Sequence, residues 1–196
     1  MKKGLFTTHQ MTDVAILLGI AFVLQLITFL FVVFNIGIGG SISISMIPLF
    51  IIIYRHGFPI GALAGVLYGL FEMALYSVMV AALAESLGVY LAIIALDYVV
   101  AFGILSVSSF IFKLRPHHVG VFAAGIVVGG LLRYATHVVS GVLLFRDWLA
   151  FEYPDLPYLL GSMALNALYM GPSIVATVVL GSLVFIRIKP MLQKEA

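Results

Sequence analysis

The chain has 196 residues, of which 63% are hydrophobic and 9% charged, with a formal net charge of +2 and no cysteine. Its Lys and Arg residues fall in short clusters between apolar runs, which excludes a nucleic-acid binder, and without cysteine there is no disulfide framework, thiolate nucleophile or Cys-based metal site. With a mean hydropathy of +1.22, the composition is that of a polytopic helical membrane protein.

Hydropathy predicts helices over residues 12–34, 41–54, 58–84, 87–112, 119–145 and 158–186, an all-α bundle of six transmembrane helices in one domain over 1–196. Residues 1–10 form a short basic and polar lead, and no small-residue cleavage site follows the first apolar run, so the first span is expected to stay. On that span Ala15 and Gly19 form a small-xxx-small pair, suited either to internal packing or to a partner helix. The second span is short: residues 41–54 rise only about 21 Å, against a hydrocarbon core of roughly 30 Å.

Charge decides whether the second span crosses. With six spans, Lys2, Lys3, Arg55, Lys113, Arg115, Arg187, Lys189 and Lys194 share the side of the termini, and only Arg146 of the loop cations lies opposite. The positive-inside rule then makes both termini cytoplasmic. Without that crossing, Arg55, Lys113, Arg115 and the C-terminal cluster would all move outside. The preceding Gly37, Gly39 and Gly40 give an irregular backbone that is tolerated at membrane depth only against protein or water, so this segment is expected to dip into a site.

Later spans carry the polar residues. Glu72, Asp97, Arg133, His137 and Asn166 interrupt apolar stretches, and ionisable groups persist at such depth mainly by pairing or by lining a polar cavity. Counted from the outer helix ends, Asp97, His137 and Asn166 fall about 12 to 15 Å deep, with Glu72 at a similar level. Arg133 lies one turn below His137 on the same face. Arg133 pairing with Glu72 or Asp97 is either a structural lock or part of the site. On the fifth span Gly125, Gly129 and Gly130 are read as close-packing positions. The loop from Arg146 to Pro157 holds Asp147, Glu152 and Asp155, an acidic mouth that attracts a cation. Phe145, Trp148, Phe151, Tyr153 and Tyr158 crowd the same rim, as an interfacial belt or a ligand cage.

Several chemistries lack their signature. No Gly-x-x-x-x-Gly-Lys-Ser/Thr loop occurs, so ATP hydrolysis must come from a partner. No Gly-x-Ser-x-Gly turn supports a serine nucleophile paired with His137, and His56, His117 and His118 lie at the cytoplasmic boundary, which leaves His137 without a haem-ligating counterpart. No catalytic or metal-binding residues are assigned. A secondary transporter coupled to protons through Glu72 or Asp97 is an alternative, although no inverted repeat is visible.

Four ordered segments carry a resemblance. GGSISISMIPLFIIIYRHG over Gly39 to Gly57, LDYVVAFG over Leu96 to Gly103, GGLLRYATHVVSGVLLF over Gly129 to Phe145 and NALYMGP over Asn166 to Pro172 resemble, in order across nearly the whole chain, the thiamine-specific substrate-binding subunits of energy-coupling factor transporters. Six helices is also that family's fold. The resemblance implies a thiamine-binding protein of the prokaryotic cell membrane, without a cofactor of its own. It further implies partnership with a membrane coupling subunit, docked on the Ala15 and Gly19 face, and with two ATPase subunits.

Residue by residue, the resemblance implies that Asp97 and Tyr98 contact the ligand, His137 lies across from them and Asn166 completes a polar floor. Thiamine joins a permanent thiazolium cation to an aminopyrimidine, and so requires a carboxylate, hydrogen-bond partners and aromatic faces. Two positions depart from the family pattern: Gly161 stands where the family often has Tyr, and Phe145 where it can have Trp. Phe145 keeps a stacking face, and Trp148 or Tyr158 is placed to supply what is lost. Glu72 adds a second acid, which is compatible with a different or more cationic ligand such as a thiamine precursor or another vitamin.

Overall fold

The computed structural model describes residues 7–30, 35–36 and 40–192. Gly37, Gly39, the end of the first predicted span at 31–34, and Lys2, Lys3 and Lys194 lie outside the described residues. Among the described residues, five helices are long and apolar enough to cross a membrane. They are α1 (Thr8–Leu30), α2 (Met46–Leu75), α4 (Leu87–Phe112), α5 (Val119–Leu144) and α7 (Tyr158–Leu192), with short helices α3 (Ser77–Leu83) and α6 (Arg146–Glu152) between them. A two-residue antiparallel ladder pairs Asn35 with Ser41 and Ile36 with Gly40, a minor addition to an otherwise all-α fold.

Helix α1 starts four residues before the predicted boundary because local chemistry outweighs hydropathy there. The Thr7 hydroxyl accepts from the Gln10 amide at 3.3 Å, and the Gln10 side chain accepts from the Thr7 amide at 3.0 Å. This reciprocal capping box satisfies two amides at the helix start. Helix α4 begins with the Ser86 hydroxyl accepting from the Val89 amide at 3.2 Å, as expected of a serine N-cap.

The predicted helix at 41–54 needs correction at its start. Helix begins only at Met46; residues 40–41 belong to the two-residue ladder, 42–44 have no regular secondary structure, and Ser45 is a turn residue with φ −61° and ψ −17°. Ser41, Ser43 and Ser45 are buried while Ile42 and Ile44 are partly exposed, the period-two alternation of an extended chain. From Met46 to Ile53 every side chain is buried, as suits a helix apolar on all sides. At Gly57 the backbone leaves helical geometry, with φ 78° and ψ −167°, a conformation glycine adopts at no steric cost.

Gly57 reverses the chain. The Tyr68 hydroxyl donates to Ser45 Oγ at 2.6 Å, whereas 23 residues of straight helix would span about 35 Å. A Cβ at Gly61 would come within 2.7 Å of the Ile53 side chain, so the two arms of α2, 46–56 and 58–75, run antiparallel in contact. The predicted helix 58–84 is interrupted at Tyr76, where φ is −100° and ψ 12°, before α3 resumes. The last helix continues past the predicted residue 186 to Leu192.

One end of the bundle is fastened by polar and aromatic contacts. Asp13 Oδ2 lies 2.9 Å from Arg55 Nε and 2.6 Å from His56 Nε2. Tyr54 OH is 3.0 Å from His117 Nδ1. The Tyr54 ring packs on Phe112, Phe122 and Phe185 at centroid distances of 5.7, 5.9 and 4.9 Å. The start of α1, the Gly57 turn, the α4–α5 connection and the last third of α7 therefore meet at one end. Elsewhere large apolar side chains such as Ile16, Leu67, Leu131, Val139, Val175 and Leu183 stand exposed on the long helices, the surface expected against lipid.

Small residues set the helix approaches. A Cβ at Gly65 would lie 2.4 Å from the Phe102 carbonyl oxygen, and one at Gly69 would lie 2.2 Å from that of Tyr98. The second arm of α2 thus packs directly on the α4 backbone. Gly125, Gly129 and Gly130 on α5 meet Phe112, Ser108 with Phe50, and Ile174 in the same manner, the close packing expected of them.

Candidate ligand-binding site

In the half of the bundle away from the Tyr54 cluster, α4 changes winding. Residues Ile94–Val100 form π-helical turns, a feature frequent at functional positions because it re-aims side chains. Asp97 and Tyr98 lie in this stretch. Gly69 gives the widened turn room to sit against α2, so the sequence of one helix accommodates the irregularity of the other.

Asp97 faces α5 with both oxygens engaged. His137 Nδ1 lies 2.9 Å from Oδ1, and the Ser140 hydroxyl donates to Oδ2 at 2.7 Å. The carboxylate accepts from Nδ1–H and fixes the imidazole tautomer, leaving Nε2 as an acceptor. His137 Nε2 is buried without a hydrogen-bond partner among the described residues. Asn166 on α7 is tied internally: its amide donates to the Ser162 carbonyl at 2.8 Å and to that of His137 at 3.5 Å, and its oxygen accepts from the Tyr169 hydroxyl.

One turn deeper on α5, Arg133 meets Glu72 from α2. Nη2 stands 3.9 Å from Oε2, close enough for charge attraction but too far for a hydrogen bond. The guanidinium lies over the Phe102 ring at 3.9 Å from its centroid. One turn before Glu72 on α2, Tyr68 is buried in a hydrogen-bonded node. Gln25 Oε1 accepts from Ser43 at 2.9 Å and from Ser45 at 3.2 Å, and lies 3.0 Å from the Tyr68 hydroxyl. This fully buried node joins α1, the non-helical segment and α2 below the site.

These residues surround one cavity. Glu72, Asp97, Tyr98, His137, Phe145, Trp148 and Asn166, all singled out from the sequence, line it together with Arg133. The cavity has a volume of about 120 Å³. Trp148 and Leu149 from α6 contribute to its wall, so the short helix after α5 covers one end of it. Asp147, Glu152 and Asp155 are exposed beyond it, and Tyr158, considered as a substitute ring, is exposed and outside the lining.

Sequence reasoning missed several lining residues, most of which carry a signal. Tyr76 follows Glu72 by four residues and Tyr169 follows Asn166 by three, so each shares its neighbour's helical face. Ser41, Ser43 and Ser45 line the cavity because the Ser-Ile alternation is a strand pattern, and reading it as helix concealed the inward face. Ala15 is exposed, and a Cβ on Gly19 would meet nothing within 4 Å. This small-residue pair is therefore not an internal packing contact. Among the described residues no cluster of His, Asp and Glu is arranged to hold a metal ion.

A multi-pass helical bundle whose apolar body encloses one cavity of mixed charge and aromatic faces defines a membrane-embedded binder of a small organic molecule. Residues 11–193 match the family described as thiamine transporter protein (Thia_YuaJ). The chain belongs to that family, which is one of transporters and not of enzymes. It is 28% identical over 195 residues to the thiamine transporter ThiT of Bacillus subtilis, covering 95% of each chain. Among solved structures, ThiT from Listeria monocytogenes is similar with a TM-score of 0.65 and 26% identity, over 94% of this chain and 93% of that one.

Proposed function

We propose that this chain captures thiamine from the outer side of a prokaryotic cell membrane and is the substrate-binding subunit of an energy-coupling factor transporter. The observation that carries the reading is the balance of the cavity wall. Two carboxylates, Glu72 and Asp97, face one guanidinium, Arg133, among five aromatic side chains: Tyr76, Tyr98, Phe145, Trp148 and Tyr169. With His137 neutral, the wall carries a formal charge of −1. A buried charge is tolerated when it is paired, and a single organic cation completes this pairing while its ring stacks on aromatic faces. Thiamine is such a cation, whereas its phosphate esters carry compensating negative charge into the same wall.

The assembly follows from what the chain lacks and what it exposes. No Walker loop is present in the sequence, so we assign energy supply to two ATPase subunits acting through a membrane coupling subunit. The exposed Ala15 and Gly19 face supports docking of the latter. For topology we favour six passes in a single domain with both termini cytoplasmic. The Gly57 reversal provides the extra pass, and the end that gathers Arg55, His56 and His117 is the basic, inner one.

Calorimetry on the purified chain without ATP tests the binding reading. Thiamine is expected to bind at about one per chain, and its mono- and diphosphate at least about tenfold more weakly. An absence of heat with thiamine, its phosphates and its pyrimidine precursor would refute the assignment.

A further inference from the structure

Helix α1 buries one stripe, Leu18, Ala21, Gln25 and Thr28, and exposes apolar side chains such as Ile16, Ile20 and Val23 around it. Separations of three and four residues place the stripe on one face. Thr28 is satisfied within the helix, its hydroxyl donating to the Leu24 carbonyl at 2.9 Å. Gln25 instead reaches across to Ser43 and Ser45. Both serines line the cavity, whereas Gln25 is fully buried and outside the lining. It stands behind the wall.

Each hydroxyl has one proton to donate, and in this node the donations run one way. Tyr68 donates to Ser45 Oγ at 2.6 Å, Ser45 to Gln25 Oε1 at 3.2 Å, and Ser43 to the same oxygen at 2.9 Å. An amide oxygen only accepts, so the chain of donations ends at Gln25. The Ser45 amide donates to Ser43 Oγ at 3.1 Å, and the Ser43 amide to Ser173 Oγ on α7 at 3.1 Å. Residues 42–44 have no regular secondary structure, and side chains of α1, α2 and α7 hold this stretch of wall in their stead.

We propose that Gln25 is a positioning residue for ligand binding: it anchors Ser43 and Ser45 in the cavity wall and raises affinity without touching the ligand, an inference that rests on the thiamine reading above. Backbone outside helix and sheet has conformational freedom to lose when a ligand orders it, and fixing it beforehand removes that cost from binding. Gln25 does so as the common acceptor. Without its oxygen two buried serine hydroxyls lose their acceptor, and buried donors left unsatisfied are costly enough to make the segment rearrange. Reach matters as much as polarity. Gln25→Asn withdraws the oxygen by about 1.5 Å, one bond length, beyond hydrogen-bond distance of both serines.

The purified full-length chain without ligand is followed by amide hydrogen exchange as wild type, Gln25→Leu, Gln25→Asn and Ser108→Ala. Ser108 is buried elsewhere in the bundle, its hydroxyl donating to the Gly125 carbonyl at 2.7 Å, so its variant loses a buried hydrogen bond away from the wall. Exchange over residues 42–45 should be at least about tenfold faster in both Gln25 variants and unchanged in Ser108→Ala. Titrated with thiamine, both Gln25 variants should bind at least about tenfold more weakly than wild type. In a Ser43→Ala/Ser45→Ala chain, whose wall has no hydroxyl for Gln25 to anchor, adding Gln25→Leu should change affinity by less than about twofold. A merely structural role would carry its full effect into that background.

Unchanged exchange over 42–45 in a folded Gln25 variant overturns the positioning role whether or not thiamine binds. Unchanged exchange in Ser43→Ala/Ser45→Ala does so as well, even if no variant at position 25 folds. An equal loss of affinity on adding Gln25→Leu to the wild type and to the serine-free chain also overturns it. A wild type that binds no thiamine, with exchange responding as expected, instead overturns the thiamine reading and leaves Gln25 as the anchor of the wall, so the two failures are distinguishable.

Discussion

His137 Nδ1 lies 2.9 Å from Asp97 Oδ1, so a carboxylate in the π-helical turn of α4 sets the orientation of an imidazole on α5. Asp97 thus holds the partner ring while contributing charge to the cavity. Asp97→Asn keeps an acceptor for Nδ1–H but removes the negative charge. Thiamine affinity should fall about 10- to 100-fold, the range for losing a charge-assisted contact, with the chain still eluting as a folded species in size-exclusion chromatography. Affinity within about twofold of wild type would show that the Asp97 charge is not used.

Trp148 is the single tryptophan in the sequence, and it lines the cavity. Intrinsic fluorescence therefore reports on this one place. Thiamine stacking against the rim should change the emission saturably with the same dissociation constant as calorimetry. Trp148→Phe should lose the optical signal while retaining affinity within about tenfold, since a phenyl face preserves most of the stacking and cation–π attraction. A saturable heat accompanied by no change in emission would place the ligand away from Trp148.

Much of the site was legible because buried charge is rare in an apolar chain. Asp97, His137, Asn166 and Glu72 stood out against their surroundings, and the structure gathers all four around one cavity. Helix ends governed by side-chain capping were less legible. Hydropathy does not register the Thr7–Gln10 box, and so it placed the start of α1 too late. The non-helical segment 40–45 was misread because isoleucine alternating with serine gives a high mean hydropathy whatever its period. The engagement of Asp97 by Ser140 and the looseness of the Glu72–Arg133 pair depend on distances between helices remote in sequence, which no spacing rule supplies.

The approach of α2 to α4 gives a stability test with an internal control. A Cβ at Gly69 would lie 2.2 Å from the Tyr98 carbonyl oxygen, while one at Gly171 meets nothing within 4 Å. Gly69→Ala should destabilise the fold by about 1–3 kcal/mol, the usual range for overpacking, and weaken thiamine binding by displacing the turn that carries Asp97 and Tyr98. Gly171→Ala should be neutral or stabilising by up to about 1 kcal/mol, because alanine favours helix over glycine. Thermal unfolding in detergent, with and without thiamine, separates the two. Equal melting temperatures for both variants would contradict the close packing.

The last test separates capture of the vitamin from its delivery. Ala15 is exposed on α1, and a Cβ at Gly19 would have open space around it, whereas the cavity is lined from α2 onward and from the non-helical segment before it. A bulky side chain at Ala15 therefore changes the outer surface without reaching the binding residues. Small residues allow two helices to approach closely in lipid, and an indole at that seam prevents the approach. Ala15→Trp should keep thiamine affinity within about twofold of wild type but abolish ATP-dependent uptake in vesicles containing the coupling and ATPase subunits. Uptake at the wild-type rate would remove this face from the docking surface, while a parallel loss of binding would show that this face of α1 supports the cavity itself.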